Sequence, residues 1–258
     1  MSAAIVEVEN VCLTYHEPHA ETTAIKHLSF SVKQGEFVSI VGPSGCGKTS
    51  VLSLLTGIIN PSSGQIRILG KPASQAGSRI GYMLQRDHLL DWRTIEGNIL
   101  LGLEVKRMLN SDTRDYALGL LNTYGLMEFR THYPSQLSGG MRQKVALIRT
   151  LSFSPELLLL DEPFSALDYQ TRLTIADEVY EIIRRERKTA VLVTHDISEA
   201  IAMSDRVLVF TQRPASLKSE YDIRLSSAAD SPIARRNAPE FKDYFDSIWK
   251  ELDMGEKR

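Results

Sequence analysis

The 258-residue chain is short of cysteine, of net charge and of long apolar runs, and each shortage excludes something. Two cysteines, Cys12 and Cys46, cannot build a disulfide framework or a four-cysteine zinc site, and they suit a reducing compartment. Thirty Lys plus Arg against 32 Asp plus Glu leave a net charge of −2, so no overall field gathers nucleic acid. No apolar run approaches the roughly 18 residues of a membrane span. Met1 to Glu9 has no basic stretch followed by an apolar one, so no secretion signal is expected. A cytosolic-type chain is expected, one that reaches a membrane only through a partner. Internal repeats and low-complexity tracts are also missing. What remains is an ordinary globular make-up, 43% apolar and 24% charged. At roughly 150 residues per domain, the chain has one or two domains and a sizeable core.

Periodicity sketches the frame. Ala4–Tyr15 reads as a strand followed by a turn, and His27–Val32 and Glu36–Val41 flank Lys33-Gln34-Gly35 as a predicted hairpin. Lys48–Leu55 predicts a short buried helix stopped near Gly57, and Gln65–Leu69 and Arg79–Leu84 predict strands. From about Arg86 to Pro155, Leu, Ala, Arg and Lys dominate, which predicts a helical insert. Buried strands follow at Leu157–Leu160, Thr189–Thr194 and Arg206–Phe210, with helices at Tyr169–Arg187 and Asp196–Met203 between them. Such alternation predicts a parallel sheet with helices on its faces. Phe241, Phe245, Ile248 and Leu252 stand three or four apart in Glu240–Leu252, an amphipathic helix expected to pack on the body.

Gly42-Pro43-Ser44-Gly45-Cys46-Gly47-Lys48-Thr49 fits G-x-x-x-x-G-K-[ST] and lies between the apolar strand Phe37–Val41 and a helix. A polyphosphate brings dense negative charge close to the chain. Glycines let backbone N–H groups converge on it, and the helix points its positive end at the same place. Lys48 is expected on the β- and γ-phosphates and Thr49 on Mg²⁺, with Ser50 completing the nucleotide-binding set. Cys46 fills a variable slot and is given no chemistry of its own.

Leu157-Leu158-Leu159-Leu160 ends in Asp161-Glu162, two carboxylates at the end of a buried strand. Such a pair is costly unless a cation sits there, and Mg²⁺ supplies that charge. Successive strand residues point opposite ways, so the two acids should differ in role. Asp161 is expected to hold Mg²⁺, and Glu162 to polarise the attacking water. Read without the phosphate loop, the same residues are an acidic turn before Pro163.

Leu137-Ser138-Gly139-Gly140-Met141-Arg142-Gln143 narrows the field, because it resembles the signature sequence of the ATP-binding-cassette (ABC) transporter ATPase family. Further motifs follow in that family's order. Gln85 after Ile80–Leu84 resembles the Q-loop, Ser165-Ala166-Leu167-Asp168 the D-loop, and Thr194-His195-Asp196 the switch histidine; Tyr15 stands where the family places an adenine-stacking aromatic. The resemblance runs from about Val6 to Phe210. It implies an α/β fold: a P-loop NTPase core with a mixed sheet, an N-terminal antiparallel β subdomain and a helical insert subdomain. The implied layout is one cassette over 1–258. A RecA-like core takes 1–85 and 156–215, the insert about 86–155, and a strand and helix extension about 216–258. The resemblance also implies a head-to-tail homodimer closing on two ATP. Each phosphate loop would face the other copy's Ser138, Gly139, Gly140 and Asp168. Glu162, His195 and Gln85 become the catalytic set, and Thr49, Gln85 and Asp161 the Mg²⁺ set.

Gln85–Ile99 is similar to the nitrate, sulfonate and taurine importer branch, although Asp91 replaces that branch's usual Pro and Ile95 its Val. Arg213-Pro214 points the same way. This implies the energising subunit of a bacterial importer at the cytoplasmic face of the membrane. Its implied partners are integral-membrane permease subunits docking near Leu89, Leu90 and Trp92, and indirectly a periplasmic or lipoprotein solute-binding protein; nucleic acid is not among them. The alternatives are the cassette of an exporter and a soluble, non-transport ABC ATPase. The cargo is not encoded, because the cassette does not touch it.

Overall fold

The computed structural model describes residues 4–17, 20–227 and 229–253. Strands β1 (Ala4–Glu17) and β2 (Ala20–Lys33) form a long antiparallel pair. Burial alternates along β2: Leu28, Phe30 and Val32 point inward, His27 and Ser29 outward. The predicted hairpin between β2 and the next strand does not form. Strand β3 (Phe37–Val41) leaves for a second sheet, where it pairs in parallel with two other strands. The reason is burial: all five residues of β3 are inside, so both its faces need cover, which a two-stranded hairpin cannot give. Strands β4 (Ser63–Ile68) and β5 (Lys71–Pro72) complete the first sheet in the order β2-β1-β4-β5.

The second sheet adds β6 (Ile80–Met83), β7 (Leu157–Asp161), β8 (Thr189–Val193), β9 (Arg206–Phe210) and β10 (Leu217–Asp222). Its order is β10-β9-β3-β8-β7-β6, parallel throughout except for the antiparallel edge strand β10. After β3 the chain jumps to the far edge at β6, steps back through β7 and β8, and ends on the other side of β3 at β9. The strand order therefore reverses beside β3, and sheets of this kind bind ligands at the carboxyl ends near such a reversal.

Alternation within β7 shows how the sheet divides the core. Leu157 and Leu159 join the cluster shared with the first sheet and helix α1 (Lys48–Leu55), while Leu158 and Leu160 join the cluster on the other face. That second cluster is built on α2 (Ile95–Val105), α3 (Ser111–Thr123), α4 (Gly139–Leu151) and α5 (Tyr169–Arg185). Asn110, Ser138 and Asp168 start α3, α4 and α5 as side-chain caps, each worth about 1 kcal/mol. Helix α6 (Ile197–Met203) follows β8, and α7 (Pro232–Arg235) and α8 (Phe241–Asp253) close the described chain. On α8, Ile248 is buried and Phe241, Phe245 and Leu252 are half-buried against Ile197, Ala200 and Ile201 of α6, so the expected apolar stripe does pack on the body. Among the described residues no helix is long and apolar enough to cross a membrane.

Candidate active site

The phosphate loop turns at Gly47, whose φ of +122° disfavours any side chain and whose Cβ would stand 3.1 Å from the Ala24 carbonyl oxygen. Lys48 is nearly buried, and its Nζ donates to the carbonyl oxygens of Gly42 at 2.8 Å and Pro43 at 3.0 Å. The cation is thus held against the loop backbone. A cavity of about 580 Å³ opens over it, lined by Ser44, Gly45, Gly47, Lys48, Thr49, Ser50, Glu162 and His195. Cys46 lies beneath, fully buried, and burial pushes its thiol up. Tyr15 is 40% exposed and its hydroxyl donates to Ser50 Oγ at 3.1 Å, which puts the ring beside the cavity rather than in its lining.

Asp161 ends β7 with 7% exposure and accepts from the Tyr82 hydroxyl at 3.1 Å. Burial pushes its carboxyl up, Tyr82 pulls it down, and the neighbouring charge of Glu162 raises it again. The Thr49 hydroxyl also lowers it. A buried carboxylate beside a second one calls for a cation, and Thr49 and Asp161 offer the hard oxygens that suit Mg²⁺. No cluster of three or more His, Cys, Asp or Glu side chains stands ready for a metal among the described residues. A cation held by Thr49 and Asp161 would need further oxygen ligands from phosphate or water.

Glu162 adopts φ +43°, a strained left-handed conformation for a non-glycine. The fold fixes it from both sides: its amide donates to the Val193 carbonyl at 2.8 Å, and its own carbonyl accepts from Ser165 Oγ at 3.0 Å. The carboxylate accepts from Gln85 Nε2 at 3.3 Å and lies 3.2 Å from His195 Nδ1. The ends of β6, β7 and β8 thus bring the three expected catalytic side chains to one point at the cavity wall.

Ser138, Gly139, Gly140 and Asp168 are not part of that lining. Ser138 caps α4, accepting from the Met141 amide at 3.3 Å. A Cβ on Gly140 would come within 2.9 Å of Ile175 Cδ1, so this glycine lets α4 close on α5. Asp168 caps α5, and the bonds from Thr171 hold its carboxyl below the usual carboxylate range. One chain therefore gathers one part of the expected nucleotide set around the cavity and leaves Ser138, Gly139, Gly140 and Asp168 outside its lining.

The expected docking patch needs a correction. Leu89 is buried in the core of the helical region, Leu90 is half-buried, and only Trp92, at 75%, is broadly exposed. The cause is Asn98, fully buried, which accepts from the Leu90 amide at 2.7 Å and donates to the carbonyls of Leu90, Arg93 and Thr94. These bonds curl the segment back on α2 and turn Leu89 inward. Sequence reading also missed Tyr82, an unremarkable aromatic in a short strand until β7 lies beside it. It missed Asp87 as well, which Arg142 of the signature helix grips at 3.0 Å.

Residues 25–165 match the family model for ABC transporters. The chain belongs to that family. It is 46% identical over 255 residues to an uncharacterized ABC transporter ATP-binding protein, YtlC of Bacillus subtilis, covering 99% of this chain and 98% of that protein. It is 34% identical over 247 residues to the nitrate import ATP-binding protein NrtD of a Synechocystis strain, covering 94% and 93%. Among solved structures, the ATP-binding cassette MJ0796, dimeric in a post-hydrolysis state with ADP and Pi, superposes with a TM-score of 0.73 at 31% identity, covering 85% of this chain and 99% of that one. This ABC chain is accordingly an ATP-binding subunit and an ATPase, with the mixed-sheet cassette fold.

Proposed function

We propose that this ABC subunit drives uptake of a small solute through a separate permease, from the cytoplasmic face of the membrane. The solute is nitrate-, sulfonate- or taurine-like, or a related small metabolite. In support, the Gln85–Ile99 stretch resembles that importer branch, and NrtD is a relative over nearly the whole length. The observation that carries the hydrolytic reading is the convergence of Gln85 and His195 on the Glu162 carboxylate beside Lys48 and Thr49.

In this reading, the loop amides from Ser44 to Thr49 and the Lys48 cation bind the β- and γ-phosphates, and Tyr15 stacks on the adenine. Thr49, Asp161 and Gln85 would hold Mg²⁺, which when bound offsets phosphate charge. Glu162 accepts a proton from the attacking water. His195 orients that water and the γ-phosphate. Ser138, Gly139, Gly140 and Asp168 of a second copy close the site head to tail. Trp92, rather than Leu89, then offers the permease an apolar anchor.

The test is reconstitution of the chain with its cognate permease and binding protein in vesicles. ATP-dependent accumulation of nitrate, taurine or an alkyl sulfonate supports the reading. Export of the solute, or failure to bind any permease, overturns it.

A further inference from the structure

Arg172 lies one turn into α5, four residues after its Asp168 cap. The guanidinium NH2 donates to the Leu167 carbonyl oxygen at 3.2 Å, inside the Ser165–Asp168 loop. NH1 stands 3.6 Å from Asp196 Oδ2, on the residue that follows His195. Asp196 is itself fixed at both ends. It caps α6 by accepting from the Glu199 amide at 3.0 Å, and its own amide donates to the Thr194 hydroxyl at 3.1 Å. Behind this turn sits Glu199, 3% exposed, with Oε1 lacking a hydrogen-bond partner among the described residues.

We propose that Arg172 is a positioning residue for ATP hydrolysis, a guanidinium link that makes the Ser165–Asp168 loop and the His195 turn move together. The proposal rests on the roles given above to His195 and to that loop. In the head-to-tail dimer the loop meets the second copy, whereas His195 serves the ATP held by its own phosphate loop. A shift of the Leu167 carbonyl on dimer closure pulls on Arg172, and Arg172 pulls on Asp196 and so on the adjacent His195. Arginine suits this task because one rigid, planar head carries donors aimed in two directions, which a lysine ammonium on a flexible stem does not offer. Neither helix needs the link in order to form. Asp168 and Asp196 already cap α5 and α6 through separate oxygen contacts.

The experiment measures kcat, the KM for ATP and the melting temperature of the full-length chain and its variants. Arg172→Gln removes the charge and the fork. Asp196→Asn removes the opposite charge but keeps a residue that caps as well as aspartate. Each is expected to lower kcat about three- to tenfold with the KM and melting temperature unchanged. The double variant should be no slower than the slower single one, since both break one link. Arg172→Lys should recover little of the lost kcat. Wild-type kcat in Arg172→Gln and Asp196→Asn, losses that multiply in the double variant, or losses that track a fall in melting temperature overturn the link. His195→Ala separates the two levels. If it abolishes turnover while the Arg172 variants do not, only the link is wrong; if it turns over normally, the site reading fails and the link with it.

Discussion

Gln85 Nε2 donates to Glu162 Oε2 across 3.3 Å, joining the segment beyond β6 to the end of β7. Because His195 approaches the same oxygen at 3.2 Å, the carboxylate has one neighbour from each flanking loop. Glu162→Gln keeps the shape and both contacts but cannot take a proton. Turnover should fall by about 10²-fold or more if this group is the base, while ATP binding persists. Dimers should then build up on gel filtration with ATP. Undiminished turnover without dimers would place the proton acceptor elsewhere.

Lys48→Ala is expected to fail earlier, at binding. Among the described residues Lys48 is the one Lys or Arg in the cavity lining, and two backbone carbonyls hold its Nζ there. Without it the phosphates lose the positive side chain nearest to them in the loop. Titration with a fluorescent ATP analogue should show binding lost or much weakened; wild-type affinity would contradict the assignment.

The phosphate loop, the acidic strand end and the parallel strands were legible because their cause is local: a Gly-Lys-Thr spacing, or an apolar run ending in two acids. What was not legible depends on long-range pairing. Nothing around Lys33-Gln34-Gly35 says that β3 crosses to a second sheet, since its neighbours Ala190–Val193 and Arg206–Val209 lie more than 150 residues away. Leu89 and Trp92 are three residues apart and equally apolar, yet Asn98 turns one inward and leaves the other out. Tyr82 gains meaning only when Asp161 lies across from it.

That contrast between Leu89 and Trp92 yields a paired test. Leu89→Ala deletes buried methyl groups and should cost about 2–5 kcal/mol of stability, as such core truncations do. Trp92→Ala should leave the melting temperature of the isolated chain unchanged but weaken co-purification with the permease and cut uptake. If Trp92→Ala destabilises the isolated chain as Leu89→Ala does, or leaves assembly intact, the anchor lies elsewhere in Arg86–Leu103.

Glu199 contributes a pH dependence to folding. The carboxyl sits inside the apolar run of α6, and burial, aided by the Asp196 charge, pushes it up from 4.5 to about 8. Arg172 on α5 and Arg236 beyond α7 face it and pull the other way, as does the Thr194 hydroxyl. Between about pH 4.5 and 8 the folded chain keeps a proton on Glu199 that the unfolded chain has released. Stability from this group is therefore complete below pH 4.5, falls as the pH rises through the window, and levels off above about 8. One retained proton corresponds to a slope of about 1.4 kcal/mol per pH unit at most. Glu199→Gln imitates the protonated form and should flatten the slope, so that the variant matches wild type near pH 5 and exceeds it near pH 8.5. Urea midpoints across that range measure this directly. Parallel curves for the two proteins would mean that Glu199 ionises freely in the fold, with Arg172 and Arg236 compensating its burial.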